Sequence, residues 1–313
     1  MDHPLLGIHH ITALAGNPQG NLDFYTEVLG QRLVKRTVNF DDPGTYHFYF
    51  GDHAGTPGTI LTFFPWPKAP KGRRGVGQAT GAAYSIPPGS TGYWMERFSD
   101  FGIPYDPPYA RFEEEVLTFY DPDGLLLELV ANEEAAPERI WNGGPVPPEH
   151  ALRGFFGVTL TQAGSEASAA LLADGLGFRS TGETANRCRF EVGEGPDRAR
   201  VDLCFNADAP PGQISVGSIH HVAWRTQDET RQAAWRTRLL EYGMHVTRVM
   251  DRQYFRSIYF REPGGVLFEI ATDPPGFTFD EPVERLGSGL KLPPWLEPQR
   301  AQIEAMLPEL HAG

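Results

Sequence analysis

Two histidine pairs and one late glutamate are the residues of this chain best suited to chemistry. His9 and His10 lie in GIHHITA, and His220 and His221 lie in SIHHVAW. Both stretches read as strands that run into amphipathic helices. Glu269 interrupts the apolar run VLFEIA, where a carboxylate is costly to bury unless it is paired or bound to a cation. Two neutral imidazoles and one carboxylate on one side of a metal leave the opposite side open. That arrangement suits non-haem Fe(II) and dioxygen chemistry, and Mn(II) accepts the same donors. Adjacent strand residues point to opposite faces, so one histidine of each pair is expected to reach a given cavity. Periodicity alone does not choose between His9 and His10, or between His220 and His221, because a one-residue shift exchanges the faces. Glu128 interrupts a second apolar run, LLLELV, but no histidine accompanies it in its own segment. A salt bridge or an exposed position is expected there.

The elements that must position these residues form a repeat. Segments 7–64, 78–132, 152–207 and 217–273 each read strand, helix, then several strands, a βαβββ unit. The helices are expected at Asn21–Leu29, Gly92–Phe101, Ser165–Asp174 and Asp228–Tyr242, with Gly30, Gly102 and Gly243 as stops and Gly175 and Gly177 behind the third helix. One such unit leaves a face of its sheet uncovered, so the units must pair. The expected fold class is α+β, with four βαβββ modules forming two cup-like mixed sheets and the helices outside. The halves are expected at 1–135 and 150–275, followed by a tail, 276–313, with a helix near Glu297–Met306.

Corresponding positions can be compared within the one sequence. His10 falls opposite His221 and opposite Gly157 of GFFGVTL, while the second module has no histidine there. Counting four residues on from Gly58, Gly124 and Gly265 reaches Thr62, Glu128 and Glu269. The third module's RVDLCF offers no clear carboxylate match at that register.

Composition narrows the partners. A formal net charge of −13 argues against a nucleic-acid surface, which requires a basic stripe. The basic loop residues Lys68, Lys71, Arg73 and Arg74 read as a solvated linker. No apolar run is long enough to span a membrane, and MDHPLLGIHH lacks the features of a signal peptide, so the cytoplasm is the expected location. The 2 cysteines, Cys188 and Cys204, suggest neither a disulfide framework nor a thiolate metal site. A small-molecule partner is expected, and a homo-oligomer is compatible with the sequence.

The repeated modules, the two HH strands and the PGGVLFE strand resemble the vicinal oxygen chelate superfamily. More closely, GIHHITA, FYTEVLGQRLVKRTVNFDDPGTYHFYFGD, GTPGTILTFFP and YFRSIYFREPGGVLFEIATDPPGF resemble its ring-cleaving dioxygenases that open para-hydroquinones and chlorohydroquinones. The resemblance implies that His10, His221 and Glu269 bind Fe(II), with Mn(II) as an alternative and O2 as co-substrate. It also implies that modules one and four form the working cup. His9 and His220 become either neighbours on the other face or residues that hydrogen-bond to the site, with a purely structural role equally open; Tyr259 and Arg252 stand near an aromatic substrate, and Thr12 is a pocket-wall residue. The competing readings are a glyoxalase-type metal-dependent isomerase or lyase and a non-catalytic aromatic-ligand binding protein. Thr62 weighs against the isomerase, which would want a fourth ligand where the chain places a hydroxyl.

Overall fold

The computed structural model describes residues 4–311. The first repeat supplies β1 (Ile8–Ala15), α1 (Pro18–Asp23), β2 (Arg32–Asn39), β3 (Asp42–Gly51) and β4 (Ile60–Pro65). The second supplies β5 (Gln78–Ile86), α2 (Thr91–Asp100), β6 (Tyr109–Arg111), β7 (Glu114–Tyr120) and β8 (Leu126–Ala131). The third supplies β9 (Phe155–Gln162), α3 (Glu166–Ala170), β10 (Arg179–Thr184), β11 (Arg187–Val192) and β12 (Ala199–Phe205). The fourth supplies β13 (Ser218–Thr226), α4 (Glu229–Glu241), β14 (Met250–Asp251), β15 (Arg256–Arg261) and β16 (Leu267–Thr272), and the tail ends in α5 (Arg300–Met306).

Side-chain caps account for the starts of α1 and α4. Asn17 accepts a hydrogen bond from the Gly20 amide at 2.8 Å, with Pro18 behind it, and Asp228 accepts one from the Arg231 amide at 2.9 Å. Helices α1 and α3 are shorter than the apolar spacing implies. Each relaxes into a π-helical turn, Phe24–Val28 and Leu171–Gly175, that carries the buried stripe onward. Three edge strands depart from the sequence reading. β6 and β10 are short or exposed and lack an alternating pattern. Where a strand is expected near Val246–Asp251, only Met250–Asp251 pairs regularly; upstream, the Thr247 amide donates to the Tyr259 carbonyl at 3.0 Å, while the Tyr259 amide donates to the Thr247 side chain at 3.0 Å.

The strands form two eight-stranded mixed sheets. One has the order β14-β15-β16-β13-β1-β4-β3-β2 and joins the first repeat to the fourth; the other, β10-β11-β12-β9-β5-β8-β7-β6, joins the second to the third. The seams are the antiparallel pairs β1 with β13 and β5 with β9. All eight residues of β1 are buried, which is why alternation could not show which face lines the cup. The residues after β16 wrap the outer edge of the first sheet. The Lys291 amide donates to the Arg36 carbonyl at 2.9 Å, and buried Lys35 meets Asp280 and Glu281.

Candidate metal centre

The β1–β13 seam explains the histidine pairs. Ile8 pairs with Trp224 and His10 with Ala223, so His9 is an extra residue on β1; Thr12 pairs with His221 and Ala13 with Ile219, so His220 is the extra residue on β13. Each leading histidine therefore occupies a β-bulge, and bulges re-aim side chains. In a regular strand the two rings of a pair would face apart. Here they meet edge to face: His9 Nδ1 is 2.9 Å from His10 Nδ1, and His220 Nδ1 is 2.8 Å from His221 Nδ1. Strand alternation alone could not foresee this.

With both Nδ1 atoms engaged, the Nε2 atoms of His10 and His221 turn toward each other at 3.3 Å. Glu269 closes the triangle. Its Oε2 lies 3.0 Å from His221 Nε2 and 3.5 Å from His10 Nε2, and the glutamate is fully buried. Oε1 accepts a short hydrogen bond from Ser257, whereas Oε2 has no hydrogen-bond partner. Burial would raise the Glu269 pKa, but attraction from His10 and His221 holds it well below the usual carboxylate range. Burial also pushes the His221 imidazole below its ordinary value, and burial with the neighbouring His221 lowers His220 to about 3. Three lone-pair donors thus converge on one point, anchored from behind.

A metal ion fits this donor set. For both Nε2 atoms to offer lone pairs, His10 and His221 must keep the proton on Nδ1 and donate it to His9 and His220. His9 then holds its own proton on Nε2. Without a cation, the free Oε2 and two opposed imidazole nitrogens would be an uncompensated buried cluster. His10, His221 and Glu269 are the group that could hold a metal among the described residues.

A cavity of about 260 Å³ opens from this point. His220, Thr12, Tyr259 and Arg252 line it, while His9 stands behind His10 against Phe255. Arg252 Nε donates to the Tyr259 hydroxyl at 3.1 Å, and its Nη1 reaches Asp41 at 3.0 Å. Burial, reinforced by Glu269, raises the Tyr259 pKa, so that hydroxyl stays protonated. Thr62 lies beside Thr12 in register, as Glu269 lies beside Ala223, which puts it at the fourth ligand-like position.

Residue-by-residue reading missed a chain of groups on that side. Thr12 and Thr62 hydroxyls are 2.9 Å apart, Thr62 is 2.9 Å from His47 Nε2, and Tyr49 bonds His47 Nδ1 at 2.9 Å. Burial lowers the His47 pKa and raises that of Tyr49, so both are neutral near pH 7. The alternating YHFYF stretch carried the signal: His47 and Tyr49 share one face of β3, and Tyr49 pairs with Thr62 across the ladder. Ser257 was likewise legible only through its shared face with Tyr259.

Register also corrects the reading of the third repeat. Asp202 pairs with Thr159, two residues beyond Gly157, so a carboxylate does occupy the position for which RVDLCF offered none. Glu128, beside Ala83, is paired as expected: Arg111 grips it at 2.7 and 2.8 Å, although the pair is buried rather than exposed.

Residues 7–129 and 157–270 match the Glyoxalase/Bleomycin resistance protein/Dioxygenase superfamily. In Bacillus subtilis (strain 168), two proteins named as ring-cleaving dioxygenases are similar to this chain. MhqO is 46% identical over 96% of this chain and 95% of its own, and MhqE is 43% identical over 97% and 99%. A chlorohydroquinone/hydroquinone 1,2-dioxygenase of Sphingobium indicum is 36% identical over 93% of this chain and 92% of its own. A crystal structure described as that of a dioxygenase from Bacillus subtilis superposes with a TM-score of 0.92 at 45% identity, covering 99% of this chain and 98% of that one. Glyoxalase I from Zea mays, at 16% identity and a TM-score of 0.61 over 85% of this chain and 92% of its own, shares the fold. The chain belongs to the Glyoxalase/Bleomycin resistance protein/Dioxygenase superfamily, in its ring-cleaving dioxygenase branch.

Proposed function

We propose that this chain opens the ring of a para-hydroquinone, plain or carrying a chloro or methyl substituent, using Fe(II) held by His10, His221 and Glu269 and consuming O2. The observation that carries the reading is the donor set: two imidazoles and one carboxylate converge, and Thr62 offers a hydroxyl at the fourth position. The hydroquinone name of the Sphingobium indicum relative supports the substrate class. Iron in this setting supplies a meeting point for substrate oxygen and dioxygen and a path for electrons between them.

The chain's own residues bind the ring and manage protons. Phe255, tilted 38° against His10, together with Phe64 and Leu267, gives the cavity apolar walls for a single ring. Arg252 donates to the Tyr259 oxygen, which leaves the Tyr259 hydroxyl hydrogen free to bond a substrate oxygen. With its Nδ1 accepting from His221, His220 has Nε2–H as its remaining donor beside the cavity. On the opposite side Tyr49 donates to His47 Nδ1, so His47 Nε2–H donates to Thr62 and Thr62 to Thr12. That order leaves the Thr12 hydroxyl hydrogen for an oxygen in the cavity.

The test is anaerobic reconstitution with Fe(II), or Mn(II) in parallel, followed by oxygen uptake with hydroquinone, chlorohydroquinone, catechol, and methylglyoxal with glutathione. One O2 consumed per hydroquinone opened is the expected result. No uptake with any phenol by iron-loaded protein overturns the proposal, and turnover of the methylglyoxal adduct would replace it with the isomerase reading.

A further inference from the structure

The mouth of the cavity holds a charge pair whose carboxylate, Asp41, the ring-cleavage reading does not use. Arg252 is the one side chain with a permanent positive charge among those lining the cavity, and Asp41 is the one carboxylate in that lining. The guanidinium is divided among three neighbours, with Nη2 set 4.0 Å from the Met250 sulfur. Nε faces inward to the Tyr259 hydroxyl, and Nη1 faces Asp41 Oδ2 at 3.0 Å. An arginine edge of this kind is suited to gripping a carboxylate through two parallel bonds. Asp41 takes up that edge.

Asp41 is 67% exposed at its side chain, so burial of its charge does not explain its presence. Its position is fixed nonetheless. The Asp41 amide donates to Asn39 Oδ1 at 3.0 Å, and neighbouring Phe40 meets the Trp295 ring of the tail at 5.7 Å, edge to face. The tail is itself tied to β2 through the Lys291 amide and Arg36 carbonyl. The turn between β2 and β3 is thereby braced from outside, and it presents a carboxylate to the only lining cation.

We propose that Asp41 is a specificity-determining residue that disfavours rings bearing an anionic substituent, by occupying the Arg252 edge that a substrate carboxylate would use and by repelling that carboxylate directly. The inference rests on the aromatic-ring reading of the cavity. A neutral hydroquinone needs nothing from the occupied edge, whereas a dihydroxybenzoate must displace Asp41 to reach it.

The test compares 2,5-dihydroxybenzoate with hydroquinone on the wild type, Asp41→Asn and Asp41→Glu. Binding is measured calorimetrically on Fe(II)-loaded full-length protein without oxygen, and kcat/KM by oxygen uptake. Asp41→Asn is expected to shift the affinity ratio roughly tenfold toward the acid, the scale of one charge-assisted hydrogen bond gained, and Asp41→Glu to keep the wild-type ratio. The wild-type ratio in Asp41→Asn overturns the inference, as does an equal shift in Asp41→Glu. The binding readout stands apart from turnover: a shifted ratio without oxygen uptake would count against the ring-cleavage reading and in favour of the role of Asp41.

Discussion

The two sheets are built on the same plan and have been put to opposite uses. In the first, two histidines flank the seam, with Glu269 and Thr62 as their partners on the flanking parallel strands. In the second, Gly157 and Gly81 stand where His10 and His221 stand, while Asp202 and Glu128 occupy the positions of Thr62 and Glu269. Even the bulges repeat, at Thr80 and Phe156. What differs is the source of positive charge. Arg111 grips Glu128 and lies 3.5 Å from Asp202, Arg189 binds Asp202 through two bonds at 2.8 and 3.1 Å, and Arg187 adds a third at 2.9 Å. Burial would raise the Asp202 pKa, but Arg189 and its neighbours hold it below the usual range. Phe156 fills the remaining space, with the Arg200 guanidinium 4.1 Å above its ring. A histidine at position 157 is excluded by the backbone, since its Cβ would lie 2.3 Å from the Arg200 carbonyl oxygen. One scaffold thus compensates buried carboxylates in two ways. Imidazoles that leave a gap for a cation make a reactive site, and guanidinium groups that fill the gap make a closed one.

Removing a donor from the first sheet should break the comparison most severely. His10→Ala or Glu269→Ala is expected to lose bound iron and to lower turnover by about a thousandfold or more, several kcal/mol of lost transition-state stabilisation. Metal analysis beside oxygen uptake checks both. A chelator should do the same to the wild type, with recovery on adding Fe(II).

In the second sheet the corresponding cut should strike stability. Arg111→Ala leaves Glu128 buried without its partner and is expected to cost about 3–5 kcal/mol in denaturant unfolding, while Arg111→Met with Glu128→Leu should recover most of that. Equal stability of the single variant and the wild type would show that the guanidinium does not substitute for a cation there.

The bulge histidines separate the ligands from what orients them. His9→Phe or His220→Phe removes the acceptor of the ligand's Nδ1 proton and is expected to weaken iron binding about 10–100-fold, read by competition with a chelator. His9→Gln, which can still accept that proton, should retain more affinity than His9→Phe.

A smaller effect sharpens the contrast between the matching turns that follow β7 and β15. Asp121 accepts the Asp123 and Leu125 amides at 2.9 and 2.8 Å, as Glu262 accepts those of Gly264 and Val266 at 2.9 and 2.8 Å. Burial pushes the Asp121 pKa up to about 7. Because the folded value lies above the unfolded one, protonated Asp121 favours folding at low pH, and that contribution fades as pH rises through about 7. Between pH 5.5 and 7 the loss is expected to be roughly 1–2 kcal/mol. Asp121→Asn should flatten the slope over that range, measured by urea titration at several pH values.

The sequence by itself determined the four repeats, the helix stops, and the pairing of His10 with His221 and of Glu128 with Glu269. These follow from period, glycine placement and a charge set in an apolar run, all of which are local. It also carried a resemblance dense enough to name the branch. Apart from that resemblance, which implied that the first and fourth repeats share the working cup, only the tertiary structure decided which repeats share a sheet and which face of β1 lines the cup, because a strand buried on both faces shows no alternation. The bulges that let both histidines of a pair meet could not be read from GIHHITA or SIHHVAW, since an extra residue exists only relative to a partner strand. For the same reason Asp202, His47 and Asp41 acquired meaning only in three dimensions. Their partners lie on strands and loops distant in the chain, and sequence spacing says nothing about a distance that cross-strand register and the curvature of the sheet create.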